Sequence, residues 1–205
     1  WVLDRISGQP GEVTGESTFG AKLLPDNGIT AIRFTSAQIY SNVSLRNFTI
    51  RHDLAHTSGG GIHSASGVLL FDCEWSDIQI DSHGVPLFIG AHFTHKLTRI
   101  TCRSLTDCFV IFGGNTVMLD NCYGSYWAED GGTAVAGAAS FRIANTATMI
   151  TRNGVDGLEY WLVAGGKIDD PYFPVTSYPD IIMIGCNLEG WTKAGIKTII
   201  EGTLN

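Results

Sequence analysis

The 205-residue chain has the length of one domain, and its 44% hydrophobic content excludes a disordered one. A formal charge of −7, with no Lys- or Arg-rich run, argues against a nucleic-acid backbone as partner. No apolar stretch approaches the ~18 residues of a membrane-inserting span. Only 16% of residues are charged, and 25 glycines punctuate a chain rich in Val, Ile, Thr and Phe, a composition that favours β structure.

The chain opens on Trp1 with neither an initiator Met nor a signal peptide, and is read as a piece of a longer protein. Residues 1–27 fit no repeat and are assigned as an N-terminal segment capping an open β-edge. Residues 28–205 form one repeat domain. Its unit is a short phrase: Leu45-Arg46-Asn47-Phe48-Thr49-Ile50, then Leu70-Phe71-Asp72-Cys73-Glu74-Trp75, Leu97-Thr98-Arg99-Ile100-Thr101-Cys102 and Leu119-Asp120-Asn121-Cys122-Tyr123-Gly124. Looser copies start at Ile150 and Ile184, so the starts lie 25, 27, 22, 31 and 34 residues apart. Self-similarity at this period marks a solenoid. Each copy is strand-length, which predicts an all-β, single-stranded parallel β-helix of about six coils. Phe48, Cys73, Ile100, Cys122 and Cys186 are expected to point inward.

Each phrase is followed by a bend and an apolar run, such as 85–89, 109–112 and 160–163. These runs do not alternate, as in strands buried on both faces, so neighbouring chains are expected to cover one wall. Five cysteines lack metal spacing and read as reduced core thiols. No cofactor motif is present: Gly59-Gly60-Gly61 lacks a following Gly-Lys-Ser/Thr and reads as a turn. The six histidines lack zinc spacing and read as solvated loop residues, with His83 the one candidate proton shuttle.

Two registers compete. Stacking the phrases on their leading Leu puts Asp72 beside Arg99, and Glu74 among Thr49, Thr101 and Tyr123 with no cation. Pairing Trp75 with Leu97 and Leu119 at equal steps of 22 instead puts Asp81 between Arg51 and Arg103. The first is favoured because it superposes Cys73, Ile100 and Cys122. In that register Glu74 can have its pKa raised by burial. Asp81, Asp107 and Asp130 follow their phrases at similar offsets and could form an acidic line, ~5 Å apart, suited to glycosidase chemistry or to a calcium ion. Asp is equally a preferred turn residue. Tyr123, Trp127, Tyr172 and Tyr178 are candidate sugar-stacking rings.

The stretches Gly20-Ala21-Lys22-Leu23-Leu24-Pro25, Ile32-Arg33-Phe34 and Val43 to Ile50 resemble the opening coils of bacteriophage tailspike and tail-fibre proteins, and the whole is similar to the pectate-lyase-like right-handed parallel β-helix. The resemblance covers residues 20–200 at the level of fold and carries no catalytic motif. It implies a homotrimeric virion protein for host attachment, located on the tail outside the cell, that binds or depolymerises a bacterial surface polysaccharide. As a glycoside hydrolase or polysaccharide lyase it would use Glu74, Asp81, Asp107 or Asp130 as acid and base. The alternative is a non-catalytic β-helix stem or capsid decoration protein. Unneutralised carboxylates in one groove favour the enzyme, and ion-paired ones favour the rod.

Overall fold

A computed structural model describes residues 21–35, 39–65, 67–127, 135–152, 155–156, 160–165, 180–186, 188–189 and 194–199. The described residues contain no helix and every strand pairing is parallel. The strands are β1 (Ala21–Leu23), β2 (Thr30–Phe34), β3 (Ile39–Ser41), β4 (Ser44–Arg51), β5 (Gly60–Ser64), β6 (Leu69–Phe71), β7 (Glu74–Ser82), β8 (Leu87–Ile89), β9 (Ala91–Phe93) and β10 (His95–Ser104). They continue as β11 (Phe109–Asp120), β12 (Tyr123–Tyr126), β13 (Ala139–Arg152), β14 (Val155–Asp156), β15 (Tyr160–Gly165), β16 (Asp180–Ile184), β17 (Leu188–Glu189) and β18 (Ala194–Ile199).

The chain visits three ladders in a fixed order. The first runs β2-β5-β8, then through the leading halves of β11 and β13 to β15 and β18. The second is β3-β6-β9, continued by Gly114 of β11 and Thr146 of β13. The third runs β1-β4-β7-β10, then through the trailing halves of β11 and β13 to β16, with β12 also pairing β10. Ala21–Leu23, inside the expected capping segment, lie against Phe48–Ile50 as the third ladder's first rung.

Two stacked corners explain why these segments bend where they do. Asn47, Asp77 and Arg99 occupy equivalent positions in the third ladder and all have left-handed backbones, with φ of 60°, 57° and 50°. Between the second and third ladders, Asn42, Asp72 and Thr94 follow matched residues and have φ of 57°, 49° and 50°. Asn and Asp tolerate this conformation because their short polar side chains bond locally. The left-handed residue also shifts the strand's alternation, so that two polar residues separate consecutive inward ones. Inward positions are Leu45, Phe48 and Ile50, then Trp75, Ile78 and Ile80, then Leu97, Ile100 and Cys102, all buried.

These pairings overturn the favoured register. Leu45 pairs with Trp75, Trp75 with Leu97 and Leu97 with Leu119, so the competing arrangement with steps of 22 is the one adopted. Phe48, Cys73, Ile100 and Cys122 are buried in one core, with half-buried Cys186 packed against it, but they do not form a single stacked row. Phe34 stacks on Trp75 at 5.6 Å and Phe109 on Phe141 at 4.6 Å between rings. All five cysteines are free, and burial pushes the Cys102, Cys108 and Cys122 thiols up, the last to about 12.

The histidines depart from expectation. His52, His92 and His95 are buried, not solvated. His52 and His63 each meet a carbonyl, of Gly60 at 3.2 Å and Val85 at 2.7 Å. A β-carbon on Gly59 or Gly60 would run into those two rings, and one on Gly61 into the Pro86 carbonyl. Gly60 and Gly61 open β5, so the triple glycine is the close-packed start of a strand and not the turn expected from sequence.

Replacing Asn47 by Val is expected to lower unfolding free energy by about 1–2 kcal/mol in urea titration, because a β-branched residue resists φ near 60°. Asn47→Gly should be nearly neutral. Equal losses in the two variants would show that the corner does not depend on backbone conformation.

Candidate functional site

On the outward side of the third ladder, register brings opposite charges together. Glu74 lies opposite Lys96, whose ammonium stands 3.3 Å from its carboxylate, with Arg46 at 3.9 Å. Arg99 grips Asp77 with two nitrogens at 2.6 and 2.7 Å, holding that carboxyl below its usual range. Neither contact resembles the expected one: Asp72 does not face Arg99, and Glu74 has cations beside it. Gln79, and not Glu74, sits between Thr49 and Thr101.

One step along the strand, Asp81 is opposite both Arg51 and Arg103. Its side chain is fully buried, receives Arg103 at 2.7 and 2.8 Å, and accepts Gln79 Nε2 at 2.9 Å. A buried carboxylate held by a forked guanidinium has its charge matched and most of its lone pairs filled. These contacts make Asp81 a tie between β7 and β10.

Asp107 has a comparable role elsewhere. It precedes β11, accepts the Ala139 amide at 2.7 Å, and receives Arg142 at 2.6 and 3.2 Å. It therefore fastens the bend before β11 to the start of β13. Asp81 sits within the third ladder and Asp107 in the connection to the first, so these two do not stack in an acidic line. Asp130, Tyr172 and Tyr178 lie outside the described residues. Tyr123 is partly exposed, whereas Trp127 is wholly buried beside His83, with ring centres 4.9 Å apart, and cannot stack on a sugar. His83 Nε2 lies 3.0 Å from the Asp53 carbonyl, which makes it a bridge between two turns.

A different set of residues surrounds an open cleft. It encloses about 500 Å³ between residues 22–26, after and within β1, and residues 51–56, at the end of β4. Lys22, Asp26, Arg51, His52, Asp53 and His56 supply its polar groups. Asn27 ties the walls together: its Oδ1 accepts the amides of Thr57 and Ser58 at 3.1 and 3.2 Å, and Gly28 N donates to Ser58 O. Asp53 closes the second wall by accepting the Ala55 amide at 2.8 Å through its side chain and the His56 amide through its carbonyl. Burial lowers the His52 pKa, so its ring is neutral at pH 7. None of these residues was nominated from sequence, because no motif joins positions 22–26 to 51–56. Only the pairing of β1 with β4 does.

Among the described residues, no three His, Cys, Asp or Glu side chains converge as a metal ion would require. Compared with protein families, curated proteins and solved structures, the chain finds no match.

Two measurements follow from these contacts. Arg103→Ala leaves Asp81 buried without its forked partner, and should cost about 3–5 kcal/mol in a chemical denaturation experiment. A loss near zero would mean that Asp81 reaches water. The second concerns His95, fully buried against Trp75 at 4.4 Å with neither ring nitrogen bonded, whose pKa burial drives to about 3. His92, 6.4 Å away, is shifted the same way. The unfolded chain takes up a proton near pH 6.5 that folded His95 refuses until about pH 3. Stability is therefore full above pH 6.5 and falls by roughly 1.4 kcal/mol per pH unit for this group on the way down. His95→Leu should flatten that slope between pH 6.5 and 4; an unchanged slope would mean that His95 protonates in the folded state.

Proposed function

We propose that the chain folds as a right-handed parallel β-helix of about six coils in a homotrimeric, tailspike-like virion protein. In this reading it engages a bacterial surface polysaccharide outside the cell without cleaving it through Glu74, Asp81 or Asp107. The ordered return to three parallel ladders supports the solenoid. The observation that carries the non-cleaving reading is that each of those carboxylates already faces a cation: Lys96 and Arg46, Arg103, and Arg142 respectively. Hydrolysis of a glycosidic bond needs carboxyl oxygens that face the bound sugar, and at Asp81 and Asp107 a guanidinium at 2.6–2.7 Å already occupies them.

The surface we propose for a trimer differs from the one that the apolar runs suggest. Val110, Phe112 and Ala144, with Val85 and Phe88, form a second apolar cluster buried within one chain, so the apolarity of 109–112 needs no neighbour. The second ladder instead exposes Ile39, Phe71 and Phe93, with the two Phe rings 5.9 Å apart. This uncharged strip is the face we assign to the trimer axis.

The same ion-paired wall also suits the other reading, a stem or decoration protein that binds no glycan. Incubation with capsular and O-antigen polysaccharides separates them. Adsorption with unchanged polymer length is the expected result. Shortened chains would restore the depolymerase, and no adsorption would leave the rod. Light scattering should return the mass of three chains; a monomer at micromolar concentration would remove the trimer.

A further inference from the structure

His92 and His95 bracket the corner between β9 and β10, and this corner differs from the ones stacked with it. Its left-handed residue is Thr94, with φ of 50°, where the preceding levels use Asn42 and Asp72. A β-branched side chain is strained on this backbone, whereas Asn and Asp tolerate it. Both imidazoles are fully buried, yet Nε2 of His92 and both nitrogens of His95 have no hydrogen-bond partner among the described residues. Only His92 Nδ1 meets an acceptor, the Gly90 carbonyl at 3.2 Å. On the following level β9 pairs at a single position, His92 with Gly114. Strain, unsatisfied buried nitrogens and thin pairing all weaken the closed corner, so the stack opens here at low cost.

The surroundings cannot hold a positive charge. His92 lies beside Leu70 and Gly114 in its ladder, and His95 beside Val117 with its ring 4.4 Å from that of Trp75. The inward titratable groups of the packed elements are Cys73 and Cys102, thiols that burial keeps neutral. Asp72 is exposed, Glu74 pairs with Lys96 and Asp77 with Arg99 on the outward side, Asp81 is bound to Arg103, and Asp120 is half-buried in the row of Thr98 and Arg152. Two imidazolium rings 6.4 Å apart would also repel each other. An imidazole in water protonates near pH 6.5, while burial delays His95 to about pH 3 and shifts His92 the same way. Acid therefore favours the open corner over the closed one. Phe93 stands between the two histidines, outward and 5.9 Å from Phe71, and cannot keep its place when they leave.

We infer that the β9–β10 corner is an acid-operated latch: on acidification residues 91–96 leave the stack and carry Phe93 out of the exposed strip. The consequence rests on the trimer reading above, because Phe93 is half of the aromatic pair assigned to the axis. Acid would then release the subunits.

Hydrogen exchange with mass spectrometry on the full chain, at pH 7 and pH 5 and corrected for the intrinsic rate, tests the latch. Opening of 91–97 should rise roughly 25-fold from His95 alone, while the matched corner at 69–75 changes far less. His95→Leu should remove most of that rise. Thr94→Asn should increase protection at both pH values with the pH dependence kept, a readout that stands even if His95→Leu misfolds. No rise at 91–97, or an equal rise along the whole chain, would overturn the latch. By light scattering the parent should lose its trimer mass between pH 7 and pH 5, and His95→Leu should keep it. A trimer that persists at pH 5 although the corner opens would overturn the role of Phe93. A monomer already at pH 7 would sink the trimer reading alone, with exchange still deciding the latch.

Discussion

The constraint on which the rest depends is the left-handed corner, repeated at one position on successive levels. A strand that alternates strictly cannot put Leu45, Phe48 and Ile50 on one side; the residue at Asn47, with φ of 60°, resets the phase. Since Asp77 and Arg99 do the same at the matched sites, the three strands bend in parallel and their inward residues superpose. Arg99 is the revealing member. An arginine has little intrinsic reason to adopt φ of 50°, yet its guanidinium closes on Asp77 directly across the ladder. The electrostatic contact and the backbone conformation support each other there.

Once levels are locked in register, charge placement follows. Parallel strands put like positions about 4.8 Å apart, so a carboxylate at one level can be neutralised by a cation at the next. Asp81 shows the strongest version, because it is fully buried and depends on Arg103. Asp107 extends the principle from a ladder to a connection, tying a bend to the strand of the following level through Arg142 and the Ala139 amide. These carboxylates are used as rivets.

Much of the architecture was legible from residues alone: the β character, the stacking of short segments, the inward Phe48, Cys73, Ile100 and Cys122, and the reduced thiols. Register was harder, for a definable reason. Leu45-Arg46-Asn47-Phe48 and Leu70-Phe71-Asp72-Cys73 have the same local grammar of an inward residue, an outward one, a left-handed polar one and another inward one. They are different corners of the solenoid-like path, and sequence similarity pairs them wrongly. From that slip came a Glu74 without cations and an Asp72 beside Arg99. The buried histidines were missed because imidazole in a bend reads as polar, whereas His92 and His95 lie at the inward positions of β9 and β10. The cleft was invisible because its walls are 25 or more residues apart in sequence and meet only through β1 and β4.

The unequal length of the levels has a further meaning. Leu45, Trp75, Leu97, Leu119, Thr151 and Met183 stack at steps of 30, 22, 22, 32 and 32. The bend from second to third ladder holds only two residues after β3 and after β6 and one after β9, while the return from third to first holds eight after β4, four after β7 and β10, and twelve after β12. Up to β13 the differences in length fall largely at one seam, whereas fourteen residues separate β15 of the first ladder from β16 of the third. That seam is a natural point of insertion, where new loops can be tried against the outside world while the stacked corners keep counting levels undisturbed.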